Sequence, residues 1–346
     1  MRAVVYAEYG ATPTLADVPD PDCPDDGVVV KVGATGVCRS DWHAWKGHDP
    51  VVLPHTPGHE LAGTVATVGP QVRSWSVGDR VTVPFVCGCG RCGYCASGNA
   101  QVCPDQTQPG FTGLGSFAEL VALHAADTNL VALPDSVDFV TAASLGCRFA
   151  TAFRALTAHG RVGPGDWLAV HGCGGVGLSA LMIGVALGAR VVAVDISPAA
   201  LTLARELGAE VVDAAADPDP AATVRRVTGG GAHASLDALG APTTAVASVR
   251  SLRPRGRHVQ VGLLLGDAAT PPIPMDVVVG RELEIYGSHG MPARDYPAML
   301  ALVADGTLRP DLLLGSVIGL EDAGAALAAM DLPAPSAGMT VIHLPE

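Results

Sequence analysis

The stretch "DWLAVHGCGGVGLSALMIGVALGARVVAVD", which ends at Asp195, limits the possible folds of this chain more than any other. An apolar run, Trp167–Val170, leads directly into Gly172-x-Gly174-x-x-Gly177, and an Ala- and Leu-rich segment ending near Gly188 follows. A second apolar run, Arg190–Val194, ends in Asp195, 18 residues after Gly177. Strand, glycine turn, helix, strand and acid is the order of a dinucleotide-binding βαβ unit. Gly172 and Gly174 permit a tight turn and close approach of backbone to a pyrophosphate, and Gly177 permits close helix–strand packing. Gly175 lies in the same loop. The helix mouth offers free N–H groups and partial positive charge to phosphates. Asp195 stands where a carboxylate accepts hydrogen bonds from ribose hydroxyls and repels a 2′-phosphate. The competing reading is an ordinary turn in a chain with 42 glycines, and it leaves the order unexplained.

The alternation continues downstream. Candidate strands Glu210–Val212, Ala234–Asp237, Arg257–Val261 and Leu283–Tyr286 are separated by helical segments, which implies a parallel sheet covered on both faces. Up to about residue 145 the texture differs. Short β-branched runs such as Val28–Val32, Gly63–Gly69 and Val77–Val83 are closed by Gly, Pro and Asp. After His289 come helical patterns near Asp295–Ala304 and Glu321–Met330 and a last strand, Thr340–Leu344. The expected class is therefore α/β, with a β-rich domain over 1–145, a doubly wound domain over 146–289 and a C-terminal segment over 290–346.

Composition excludes some functions. The formal charge is −13, and lysine occurs only at Lys31 and Lys46, so no basic stripe is available for nucleic acid. No apolar run reaches the ~18 residues of a membrane helix. Met1–Tyr6 reads as a strand rather than a signal peptide, so a cytoplasmic protein is expected. Nine cysteines are then ligands or bystanders rather than disulfides.

Four of them, Cys89, Cys92, Cys95 and Cys103, fall within 15 residues in "CGCGRCGYCASGNAQVC". Four soft thiolates at this spacing can close a tetrahedral zinc site. A reduced loop or an iron–sulfur cluster would use the same residues, and Cys87 could replace Cys89.

Three more segments carry chemistry: "GVCRSDWH" (Gly36–His43), "PGHE" (Pro57–Glu60) and "SLGCRFATAFRAL" (Ser144–Leu156). With the glycine loop and the four cysteines, they make the chain resemble the zinc-dependent alcohol dehydrogenases of the medium-chain dehydrogenase/reductase superfamily over essentially its whole length. The resemblance implies a GroES-like catalytic domain with a zinc lobe at about 87–104, a Rossmann domain, and a C-terminal return to the catalytic domain. It implies two zinc ions per subunit. The catalytic one is held by Cys38, His59 and Cys147, and the structural one by Cys89, Cys92, Cys95 and Cys103. Asp41 is implied to orient the ligand histidine, and Glu60 to lie beside the metal and approach it during ligand exchange. The implied reaction moves a hydride between NAD and a small alcohol or carbonyl. The metal lowers the alcohol's pKa, Ser40 takes its proton and His43 delivers that proton to solvent. Arg39 and Thr151 resemble contacts to the pyrophosphate and nicotinamide, and Val176 resembles a residue packed behind the ring. Phe85 and Trp42 are candidates for the pocket wall. A homo-oligomer, a tetramer rather than a dimer, is expected.

The chain departs from the family at two places. Met339 lies where many members carry a basic residue that touches the cofactor. Pro198, Ala199 and Ala200 follow Asp195 where a basic residue often flanks the ribose. Two alternatives remain: a zinc-free enone or quinone reductase, which would lack the Cys and His ligands, and an NAD-binding structural protein.

Overall fold

The computed structural model describes residues 1–332 and 337–345. In chain order the strands are β1 (Arg2–Val5), β2 (Thr14–Asp17), β3 (Val28–Val37), β4 (Glu60–Val68), β5 (Arg80–Thr82), β6 (Leu120–Leu123) and β7 (Val131–Ala132). They continue with β8 (Trp167–His171), β9 (Arg190–Asp195), β10 (Glu210–Asp213), β11 (Ala232–Asp237), β12 (Leu252–Gln260), β13 (Glu284–Gly287), β14 (Leu314–Ile318) and β15 (Met339–His343). The chain divides into two compact units: Met1–Ala150 with Gly290–Gly306 and Pro310–Glu346, and Thr151–His289 with Thr307–Arg309.

The first unit is built on a sheet in the order β14-β15-β3-β4-β5-β7, with β6 also paired to β3. Its core is aliphatic: Val28, Val30, Val32, Leu61, Val65, Val81 and Val83 alternate inward from β3, β4 and the β5 region, and Phe117 and Ile342 close over them. The central pair β3–β4 is antiparallel and sets Gly36 opposite Glu60 and Thr35 opposite Leu61. Cys38 lies just beyond the end of β3 and His59 just before the start of β4, so this register brings the two residues to the same end of the sheet.

The second unit is a six-stranded parallel sheet in the order β10-β9-β8-β11-β12-β13. Its strands read as continuous apolar runs because helices cover both faces. The 12-residue helix Gly175–Ala186 has eight buried residues, which explains its lack of a polar stripe. The fold is the α/β class expected, a GroES-like β-rich part with a Rossmann sheet. Strand limits shift modestly. β12 begins at Leu252 rather than Arg257, and β6 and β14 lie in segments not read as strands. No helix among the described residues is long and apolar enough to cross a membrane.

Candidate metal and cofactor sites

The three dispersed ligands meet in the first unit. Ligand atoms of Cys38, His59 and Cys147 all lie within 4.8 Å of one another. Each comes from a different local structure. Cys38 caps the helix Arg39–Trp45, His59 precedes β4, and Cys147 sits in a π-helical turn, Leu145–Phe149. Such a turn adds one residue to a helical repeat and re-aims side chains, and it recurs at functional sites.

His59 is fully buried, and its Nδ1 lies 2.8 Å from Asp41 Oδ1. Its Nε2 has no partner among the described residues. A buried polar atom left unpaired costs about 1–3 kcal/mol, and a metal between Nε2 and the two sulfurs removes that cost. Asp41, also fully buried, accepts hydrogen bonds from the N–H of Cys38 (3.0 Å) and of Gly58 (3.1 Å). One carboxylate thus caps the helix and fixes the imidazole. Burial pushes the His59 pKa down, but Asp41 and Cys38 outweigh it and hold it well above its ordinary value. The hydrogen bond from the Cys147 thiol and the charges of Arg148 and His59 outweigh burial and hold the Cys38 pKa well below its ordinary value. Two soft sulfurs, one imidazole and an open position are the donor set of a catalytic zinc site.

Glu60 is fully buried beside this triad. Its Oε1 accepts from the backbone N–H of Arg148 (3.1 Å) and from Arg148 Nε (3.0 Å), and its Oε2 pairs with the same guanidinium. Sequence reasoning gave Arg148 no role, although a lone charge in the apolar segment "SLGCRFATAF" requires a partner. Phe85 and Phe111 face the His59 ring, with centroids 6.0 and 5.1 Å away. Phe111 was not foreseen, and nothing in its local pattern marks it.

Ser40 and His43 lie on the helix that Cys38 caps. Ser40 Oγ is 3.9 Å from Cys38 Sγ. His43 is half-buried, with its Nδ1 3.2 Å from Nδ1 of the exposed His48. Trp42 packs edge-on against both histidines and donates from Nε1 to Asp331. Arg39 stacks on Trp42 and donates to Met330 O.

The second cluster is local. The sulfurs of Cys89, Cys92, Cys95 and Cys103 also lie within 4.8 Å of one another. Cys92 Sγ is 3.5 Å from Cys95 Sγ and 3.6 Å from Cys103 Sγ, close to the ~3.8 Å edge of a tetrahedron with 2.3 Å zinc–sulfur bonds. Backbone N–H groups of Cys89 and Cys95 point at Cys103 and Cys92 sulfurs, both at 3.4 Å. Cys87 stands apart. It is buried against Pro84 O, and burial pushes its thiol up to about 12.

In the second unit Gly172 has φ +90°, which a side chain rarely tolerates. A Cβ on Gly177 would lie 1.8 Å from Gly172 O, so the helix packs on the turn only with glycine there. Around Gly174 a Cβ would meet nothing within 4 Å, which leaves the helix mouth open to a phosphate. Gly175 begins the helix and Val176 follows it. Asp195 ends β9, and its carboxylate accepts from the N–H of Cys173 and of Ser197 (2.8 Å), so it is fixed at the rim of the loop. Thr151 Oγ1 is buried and without a partner among the described residues.

Known proteins carry the same parts. Residues 24–135 match the alcohol dehydrogenase GroES-like domain, and residues 175–305 match the zinc-binding dehydrogenase domain. An alcohol dehydrogenase of Geobacillus stearothermophilus is 35% identical over 313 residues, 90% of each chain. This chain belongs to the zinc-type alcohol dehydrogenases of the medium-chain dehydrogenase/reductase superfamily. An alcohol dehydrogenase of Rhizobium meliloti is 36% identical over 310 residues, 88% of this chain and 89% of that one. Among solved structures, alcohol dehydrogenase TADH from Thermus sp. ATN1 superposes with a TM-score of 0.92 at 30% identity over 99% of both chains. An NAD-dependent alcohol dehydrogenase gives 0.89 at 31%, over 99% of this chain and 100% of that one. The chain is accordingly a zinc-dependent alcohol oxidoreductase with a nicotinamide cofactor.

Proposed function

We propose that this chain is an NAD-specific alcohol dehydrogenase that holds two zinc ions per subunit. The observation that carries this reading is the buried, unpartnered Nε2 of His59 facing two cysteine sulfurs. When bound by Cys38, His59 and Cys147, zinc supplies Lewis acidity to the substrate oxygen. When bound at the glycine loop, NAD supplies the hydride acceptor. Asp41 keeps the His59 proton on Nδ1 and so presents Nε2 as a ligand. Ser40, beside Cys38, takes the proton from the substrate hydroxyl, and His43, at the accessible side of the same helix, releases it to solvent. Arg39, Thr151 and Val176 are assigned to the cofactor, and Cys89, Cys92, Cys95 and Cys103 to the structural zinc.

Asp195 supports NAD over NADP. Its fixed carboxylate keeps free lone pairs for ribose hydroxyls, and Ile196, Ser197 and Pro198 offer no cation to a 2′-phosphate. The functional division follows the motifs along the chain: the catalytic residues lie in 1–145, with Cys147 just beyond that bound and a return over 290–346, and the cofactor residues lie in 146–289, with Arg39 contributed from 1–145. Nine unpaired thiols fit a cytoplasmic location. The far edge of β13, which pairs only with β12 among the described strands, is available for assembly into a tetramer.

The deciding experiment combines metal analysis with turnover of primary, secondary and aromatic alcohols on NAD and NADP. Two zinc ions per chain and a kcat/KM for NAD more than tenfold above NADP are expected. A ratio of ten corresponds to about 1.4 kcal/mol. One zinc per chain, or equal use of both cofactors, overturns the corresponding part.

A further inference from the structure

The buried ion pair between Glu60 and Arg148 occupies an unusual place. Glu60 directly follows His59, and Arg148 directly follows Cys147. The pair therefore joins the two chain segments that carry these ligands, at the residues adjacent to them. Arg148 grips Glu60 three times: its backbone N–H and Nε both donate to Oε1, and its terminal nitrogen pairs with Oε2. Both side chains are buried, Arg148 at 8% exposure and Glu60 at 0%.

The surrounding backbone is shaped to admit the pair. Gly36 faces Glu60 across the β3–β4 ladder. A Cβ at Gly36 would lie 2.4 Å from Glu60 Oε2 and 3.0 Å from an Arg148 nitrogen. A Cβ at Gly146 would come within 3.1 Å of Glu60 Cα, so the π-helical turn rests directly on β4. From the other side, Tyr296 donates its hydroxyl to Gly146 O at 3.0 Å. The turn bearing Cys147 is thus held at Gly146 by Tyr296 and at Arg148 by Glu60, one residue on each side of the ligand.

We infer that Arg148 is a positioning residue for the catalytic metal: through its grip on Glu60 it sets the spacing of Cys147 against His59 and so slows release of the ion. The inference rests on the reading of Cys38, His59 and Cys147 as zinc ligands. Salt bridges of this kind contribute little net stability compared with an apolar pair, and their attested use is to fix one geometry. A guanidinium suits the task because it spans both carboxylate oxygens in one plane.

Zinc release into a chromogenic chelator tests this without turnover. The wild-type protein is expected to show two kinetic phases of one zinc each. Arg148→Met is expected to speed release from the dispersed site at least tenfold and to leave the four-cysteine phase unchanged. Because that variant strands a buried carboxylate and risks misfolding, the double variant Arg148→Met, Glu60→Gln is measured beside it. It leaves no uncompensated charge, and its release is also expected to be at least tenfold faster than wild type. Wild-type release from the double variant means the pair only compensates charge, and the inference fails. Wild-type release from the single variant overturns it as well. A wild-type protein that binds only the four-cysteine zinc defeats the underlying reading instead, so the two failures are distinct.

Discussion

The two candidate metal sites of this chain are built in opposite ways. The four-cysteine site takes all its ligands from Cys89 to Cys103, one loop with short helical turns. The three-ligand site draws Cys38, His59 and Cys147 from a helix cap, a strand entrance and a π-helical turn. A local site depends on a metal to hold its own loop together, because the loop has little apolar core: three of its four sulfur-bearing residues are partly exposed. A dispersed site is held by the sheet, by Asp41 and by the Glu60–Arg148 pair, and is expected to keep its shape without a metal. Metal removal should therefore unfold the first site and merely empty the second.

Paired cysteine variants put that contrast to its strongest test. Cys103→Ala is expected to lose the structural zinc and lower the melting temperature by at least about 10 °C, since structural zinc contributes folding energy directly. Cys147→Ala is expected to keep the fold, melt within about 3 °C of wild type, retain one zinc and lose turnover to background. Calorimetry, metal analysis and activity decide together. If Cys147→Ala melts as low as Cys103→Ala, the dispersed site is not preformed and the contrast collapses.

A smaller effect sharpens the role of the scaffold. Asp41→Asn keeps the size of the side chain but removes the charge that holds His59 Nδ1. Partners of this kind change metal affinity by about 10–100-fold. Chelator competition should show weakening within that range at the three-ligand site and none at the four-cysteine site. Equal weakening at both would mean that Asp41 acts on folding rather than on the imidazole.

The same contrast explains what the sequence revealed. The four cysteines and the glycine loop are contiguous, so spacing alone carries their chemistry. Fifteen residues confine four sulfurs, and Gly177 must be small because it lies against Gly172 O. The dispersed triad was legible only through resemblance, because its geometry is written in the β3–β4 register. That ladder shifts at Val29/Val30 and at Val32/Ala34, and no local pattern shows where. Arg148 received no role from the sequence, because its partner Glu60 lies 88 residues away. β12 extends upstream of the expected Arg257 through Pro254 and Gly256, residue types that are unusual inside a strand. The structure accommodates them with Arg255 at φ +62° and an irregular pairing near Ala232.

The weakest expected effect concerns the accessible end of the catalytic helix. Burial, together with the nearby charges of His48 and Arg39, lowers the His43 pKa from its ordinary value. A histidine with a lowered pKa is neutral at pH 7 and can accept a proton from the site. As pH falls through that lowered value His43 becomes charged and stops accepting, so the acid limb of wild-type turnover should lie below about pH 6.5. His43→Gln removes the acceptor at every pH. General acid–base groups contribute about 10²–10⁴-fold, and His43 should fall at or below the lower end, because buffer reaches this side chain. Ser40→Ala should cost more, since no buffer replaces a hydroxyl beside Cys38. The gap between His43→Gln and wild type should be widest just above the lowered pKa, where wild-type His43 is still neutral and other acceptors are scarce. It should close toward alkaline pH as hydroxide takes over, and added imidazole should narrow it. A gap independent of both pH and imidazole would remove His43 from the proton path and leave it as a packing partner of Trp42 and His48.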